Sequence, residues 1–171
     1  MIVKTLTIRD WAEIALVAAI YVALTITPPL NTISFGAYQF RLSESLNFMA
    51  FYNKKYIWAL TLGCMISNAY SFGAIDIVVG GLSTLVFVSL GVLFFQKYQS
   101  SYIFSGFLNR AFFYFSLFFA ASMFTIALEL HVVAGLPFFL TWFTTAMGEL
   151  GSLLLGAVVM DKLGRRIDLR H

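Results

Sequence analysis

A chain of 171 residues that is 60% hydrophobic and only 11% charged, with a mean hydropathy of +0.87, is excluded from the soluble domains by composition alone. Its net charge of +3 and pI near 9.1 arise from short basic clusters between long apolar runs, so they report membrane topology and not affinity for nucleic acid. The length accommodates about six helices of roughly 20 residues with short connections and no soluble domain.

The chain therefore reads as an all-α integral membrane protein, one domain over residues 1–171, folded as a single bundle of six transmembrane helices. The first span is expected over Asp10–Thr27. Lys4 and Arg9 ahead of it resemble the start of a signal peptide. The apolar stretch runs on into Pro28-Pro29 without a small-residue cleavage site, however, so it reads as a retained helix. Pro28 to Phe40 holds two prolines and Gly36 and is an irregular loop lying over one face. The second span, Leu42–Asn53, is too short to cross alone, so it either tilts or begins inside that loop. Tyr56–Phe72 and Ile75–Phe95 follow, separated by a break at Gly73. Arg110–Leu128 and Phe139–Met160 complete the set, with Gly135-Leu136-Pro137 breaking the chain before the last. The single cysteine, Cys64, lies in an apolar run, forms no internal disulfide and gives no sign of metal ligation.

Six spans put ten of the eleven Lys and Arg residues on one side: Lys4, Arg9, Lys54, Lys55, Lys97, Arg110, Lys162, Arg165, Arg166 and Arg170. Only Arg41 is left on the other. By the positive-inside rule both termini are then cytoplasmic, whereas five spans would split the basic clusters between the two faces. On this topology Arg41, Glu44, Asn47, Asn68, Asp76, Glu129, His131 and Trp142 fall in the outer half or outer loops, and Glu149 near the middle of the last span. Ionisable groups inside a bundle are costly unless paired or hydrated, so this one-sided concentration points to a solvated pocket open to the exterior.

Each of these groups also has a plainer role. Arg41 and Glu44, three apart, form either a helix-start ion pair or a pair poised at a ligand mouth, and Asn47 continues the same face. Glu149, flanked by Gly148 and Gly151 with Thr144 and Thr145 a turn away, is either a ligand contact or an interhelical hydrogen bond. Asp76 either caps the fourth helix or joins the site. His131 has no second histidine near it to build a metal site, because His171 ends the chain. Tyr38, Phe72, Phe138 and Trp142 are placed for stacking on a planar ligand, or equally for an interfacial aromatic belt.

On the first helix Ala12, Ala15, Ala19 and Ala23 recur every three or four residues and share one face. Side chains this small let another helix come close, either inside the bundle or in a membrane partner. Gly148, Ser152 and Gly156 form a second such face, assigned to packing inside the bundle. The chain has no G-x-x-x-x-G-K phosphate loop, no H-E-x-x-H and no plausible nucleophile–base pairing, so no catalytic residue, cofactor or metal is expected. It also lacks the two repeated halves of a secondary transporter and a relay of acids between the faces. These absences leave a binding subunit without an engine of its own.

The stretch Phe35-Gly36-Ala37-Tyr38-Gln39-Phe40-Arg41-Leu42-Ser43-Glu44-Ser45-Leu46 resembles the F-G-A-x-Q-F-R-x-S-E-A-L segment of the QueT family. Leu62 to Asn68, Ile75 to Leu85 and Gly148-Glu149 are similar to that family as well, so the resemblance covers most of the chain. It departs at Ser45, where Ala is common, and at the Lys54-Lys55 turn. The resemblance implies the substrate-binding component of an energy-coupling factor (ECF) transporter in a prokaryotic plasma membrane. Such a component takes up a queuosine precursor of deazaguanine type and works with a transmembrane coupling protein and two ATPase subunits. A guanine-like edge presents two parallel N–H donors that one carboxylate accepts together, which suits Glu149 or Glu44, with Asn68 and Gln39 for the carbonyl and remaining edge. An aminomethyl substituent would favour a further acid such as Asp76. The expected substrate set is Gln39, Arg41, Glu44, Asn47, Asn68, Asp76, Trp142 and Glu149. The expected partner-docking set is Ala15, Ala19 and Ala23. A component for another small vitamin, or an accessory membrane subunit that binds nothing small, are the competing readings.

Overall fold

The computed structural model describes residues 6–36, 38–70 and 73–169; Lys4, Ala37, Phe72, Arg170 and His171 lie outside them. The described chain is built almost wholly of helices: α1 (Ile8–Ile26), a short α2 (Leu30–Ser34), a 3-10 segment (Leu42–Phe51), α3 (Tyr56–Asn68), α4 (Ala74–Phe95), α5 (Arg110–Ala121), α6 (Phe124–Ala134) and α7 (Phe138–Gly164). A two-stranded antiparallel hairpin, Tyr102–Ile103 with Leu108–Asn109, joins α4 to α5. Among the described residues three stretches are long and apolar enough to cross a membrane: Ala74–Tyr98, Arg110–Ala134 and Phe138–Gly164.

Helix α1 starts where Thr7 and Asp10 cap it reciprocally, Thr7 N–H donating to Asp10 Oδ2 (2.8 Å) and Asp10 N–H to Thr7 Oγ1 (3.2 Å). Its buried residues are Ile14, Val17, Ala18, Tyr21 and Thr25, a helical stripe packed on α3 and the 3-10 segment. Lys55, at the turn before α3, anchors the same end of α1 through Asp10 Oδ1 and Glu13 Oε2, both at 2.7 Å. Burial pulls the Lys55 ammonium down, but the two carboxylates outweigh it and hold the group above its ordinary value. This Lys55 end also holds the C-terminal part of α7, since Tyr52 O–H donates to the Met160 carbonyl (3.4 Å) and Tyr102 O–H to Asp161 Oδ1 (3.0 Å).

The second span differs most from expectation. Leu42–Phe51 is a 3-10 helix of ten residues, long for a conformation that is uncommon beyond one turn. At about 2.0 Å per residue it advances about 20 Å, still short of a bilayer core of about 30 Å. Its period of three aligns Glu44 with Asn47, and Ser45 with Phe48 and Phe51. The second of these rows meets α5 and α7. Phe48, Phe51, Phe112 and Phe115 pack edge to face or tilted, with ring centroids 4.5–5.5 Å apart, and form the centre of the core.

The fifth span is longer than expected and interrupted. It reaches Ala134, not Leu128, and breaks between α5 and α6 at Ser122–Met123, where Ser122 Oγ donates to the Phe119 carbonyl (2.7 Å) in competition with the helix backbone.

Helix α7 packs on the 3-10 segment through small residues. A Cβ added at Gly156 would lie within 2.6 Å of Ser45 Cα, whereas one at Gly151 would meet Phe40 at an ordinary 3.4 Å. Gly156→Leu is therefore expected to cost at least about 1–3 kcal/mol and to lower the melting temperature of the detergent-purified protein. Gly151→Ala should melt within a degree or two of the parent. Equal melting of both variants would mean that α7 does not seat on this segment.

Candidate functional site

The end of the molecule opposite Lys55 gathers the polar groups. The first of them is Arg41, buried at the start of the 3-10 segment. Its backbone there is extended (φ −107°, ψ 105°). Arg41 Nη1 donates to Asn68 Oδ1 at the end of α3 (3.1 Å) and Nε to the Ser34 carbonyl (3.3 Å), and the guanidinium carbon lies 5.1 Å from the Phe35 ring centre. Of the two readings of Arg41 and Glu44, the direct ion pair is not formed, since the arginine has other acceptors, while both residues line one chamber. Asn68 also donates to the Asp76 carbonyl (3.2 Å), linking the ends of α3 and α4.

Glu44 is held from two sides, by Tyr21 O–H from α1 and by Asn47 Nδ2 one 3-10 turn on (2.6 Å). Asn47 Oδ1 has no partner among the described residues. Ser152 on α7 donates to the Arg41 carbonyl, and Thr25 Oγ1 to Ser43 Oγ (2.8 Å). Tyr21 and Ser152 were not among the expected site residues. The available signal for Tyr21 was a lone phenol on the face of α1 opposite the alanines, one turn before Thr25.

Glu149 projects from α7 between these groups. It is only 2% exposed, and Oε1 has no hydrogen-bond partner among the described residues. With Gln39, Arg41, Glu44, Cys64, Thr84 and Phe119 it lines a small chamber of roughly 20 Å³, room for about one water molecule. Next to it lies a vestibule of roughly 470 Å³, lined by Phe35, Tyr38, Leu130, Pro137, Thr141 and Thr145 among others, within the range of about 300–1,000 Å³ typical of small-molecule pockets. Gln39 lines both. Its φ of 44° lies in the left-handed region, where a non-glycine residue is held only by its surroundings. Behind it the Tyr38 carbonyl rests directly on Gly148, so that any side chain there would overlap it. Gln39 thus stands between vestibule and chamber.

Of the expected substrate residues, Gln39, Arg41, Glu44 and Glu149 line the chamber, while Asn47 and Asn68 orient Glu44 and Arg41. Asp76 is buried in the first turn of α4. Trp142 lines neither cavity; its indole N–H donates to the Ala121 carbonyl (3.0 Å) and ties α7 to the end of α5. Glu129, on α6, is buried with Oε2 lacking a partner, although sequence reasoning left it out of the site. On α1, Ala12, Ala15, Ala19 and Ala23 are all exposed beside Leu16 and Ile20. That stripe takes no part in packing within the described bundle, unlike Gly148, Ser152 and Gly156.

The QueT transporter family model matches residues 11–165. A queuosine precursor transporter, QueT, of Lactococcus lactis subsp. cremoris (strain MG1363) is 62% identical over 160 residues, covering 94% of this chain and 95% of the relative. No solved structure matches.

Proposed function

The chain belongs to the QueT transporter family, and on that premise we propose that it is the substrate-binding component of an energy-coupling factor importer that captures a queuosine precursor outside the cell. The observation that carries this reading is Glu149, a carboxylate buried in a membrane-spanning helix, lining the chamber with one oxygen unpartnered. Such a group is costly to keep unless a ligand uses it. A deazaguanine base offers a ring N–H beside an exocyclic amine, which one carboxylate accepts in parallel. Glu149 takes that edge, and Gln39 and Arg41 are within the same wall for the carbonyl and ring nitrogen. The base enters through the vestibule and displaces Gln39, because a chamber of roughly 20 Å³ is far below ligand size.

The chain crosses a prokaryotic plasma membrane six times with both termini cytoplasmic, the arrangement that the ten-to-one partition of basic residues supports. Reporter fusions at either end should report the cytoplasm; an external signal from either would overturn the topology and the outward position of the vestibule. The exposed alanine stripe of α1 meets a transmembrane coupling protein, and two ATPases on that partner supply the energy. The transport reading is tested in cells that cannot make the deazaguanine base themselves. Supplied with the base, they should regain the modified nucleoside in tRNA only when this chain and a coupling module are both expressed. Recovery without this chain, or failure with both, would contradict the assignment.

A further inference from the structure

The last turns of α7 form a basic groove that neither the chamber nor the alanine stripe uses. Helix α7 is 27 residues long, about 40 Å at 1.5 Å per residue, against a hydrocarbon core of about 30 Å. It therefore runs through the core from Phe138 and carries its basic end to the depth of the lipid headgroups. There Val159, Lys162, Leu163, Arg165 and Arg166 line an open groove of roughly 620 Å³.

The three cations differ. Arg165 is committed, since Nη2 donates to Asp161 Oδ2 (2.7 Å) and the guanidinium carbon lies 4.9 Å from the Tyr102 ring centre. Lys162 and Arg166 are exposed, and their side chains make no hydrogen bond or ion pair among the described residues. Leu155 and Val159 precede them at spacings of four and three, which keeps all four on one face of α7. Both are about half exposed, at 52% and 53%. An open apolar strip thus ends in two uncompensated positive charges. Through Tyr102 the groove adjoins the hairpin between α4 and α5, whose turn exposes Phe104 and Phe107. Aromatic rings at such a level mark the boundary between membrane and water.

The pattern calls for an occupant with a negative head and an apolar tail. A free anion would leave the strip uncovered, and an acidic peptide would have to carry its backbone into hydrocarbon to cover it. An anionic phospholipid supplies both parts. We propose that this groove binds the headgroup of an anionic phospholipid, its phosphate between Lys162 and Arg166 and an acyl chain along Val159 and Leu155. The site is independent of the base-binding reading, and the six-span topology places it in the inner leaflet.

The test is native mass spectrometry of the full-length, detergent-purified protein titrated with phosphatidylglycerol and with phosphatidylcholine of the same acyl chains. Each basic residue at the surface is worth about fivefold in affinity for an anionic lipid, so the parent should hold one phosphatidylglycerol about tenfold or more tightly. Lys162→Gln with Arg166→Gln should bring the ratio toward one. Lys54→Gln with Lys97→Gln removes the same two charges from the same end, outside the groove, and should keep it. The exchange of Lys162→Arg with Arg166→Lys preserves both charges and should keep it too. A parent without preference would overturn the inference, as would an equal loss in the two neutralised variants, which marks general surface attraction. Displacement of the lipid by millimolar inorganic phosphate would make the groove a free-anion site and overturn it as well. Loss of a copurifying coupling protein in the groove variant, with lipid preference unchanged, would assign the groove to a protein instead.

Discussion

Replacing Glu149 by Gln is expected to weaken binding of a deazaguanine base by roughly 1.5–3 kcal/mol, about 10- to 150-fold in Kd. The substitution keeps the size and shape of the side chain but removes its charge and exchanges one acceptor oxygen for an N–H2 group. Two parallel donors on the ligand would then face one acceptor and one donor, so a charge-assisted bond is lost and a clash of donors replaces it. The fold should not suffer. Glu149 is 2% exposed with Oε1 unpartnered, and a neutral amide is cheaper to bury than a carboxylate. The melting temperature of the variant in detergent should hold or rise while affinity drops. Unchanged affinity would remove Glu149 from the site.

Ala19→Trp should separate the chain from the proposed coupling protein without touching the chamber. Ala12, Ala15, Ala19 and Ala23 are exposed on α1, whereas Tyr21 and Thr25, which reach the polar cluster, are buried on the other side. Helices associate in lipid through close backbone approach, since the tails are as apolar as Leu and supply no hydrophobic drive. An indole at the centre of the stripe holds the partner's backbone off by the width of a ring. Uptake and copurification of a coupling protein should both be lost, with calorimetric binding retained. If transport and copurification survive, the stripe faces lipid and the partner surface lies elsewhere.

The helix boundaries most legible in the sequence are those marked by glycine. Gly73 and Gly135 take φ of 98° and 68°, conformations that side chains resist, so the breaks before α4 and α7 follow from residue type. Ile75–Phe95 was expected where α4 runs Ala74–Phe95. The 3-10 form of Leu42–Phe51 was not legible, because no local signal separates it from a short α-helix; the shape is imposed by Gly156, Phe112 and Phe115 packing around it. The break at Ser122 is marked by neither Gly nor Pro, only by a hydroxyl that turns back on its own backbone. Polarity at depth singled out Glu44, Asn68 and Glu149 as candidates, and all three are buried. It did not rank Trp142, whose N–H is taken by the Ala121 carbonyl, below Tyr21, whose hydroxyl holds Glu44. That ranking depends on which helix faces which, and this is fixed by tertiary packing.

The measurement that bears most directly on the account is a binding titration of the detergent-purified protein against a panel of small molecules: a 7-deazaguanine base, guanine, and unrelated vitamins such as riboflavin, thiamine and biotin. A guanine-like edge read by a buried carboxylate predicts saturable one-to-one binding of the 7-deazaguanine base that none of the vitamins displaces at comparable concentration. Binding of a vitamin in place of the base, or no saturable binding of the base, would contradict the assignment of the Glu149 chamber to a queuosine precursor.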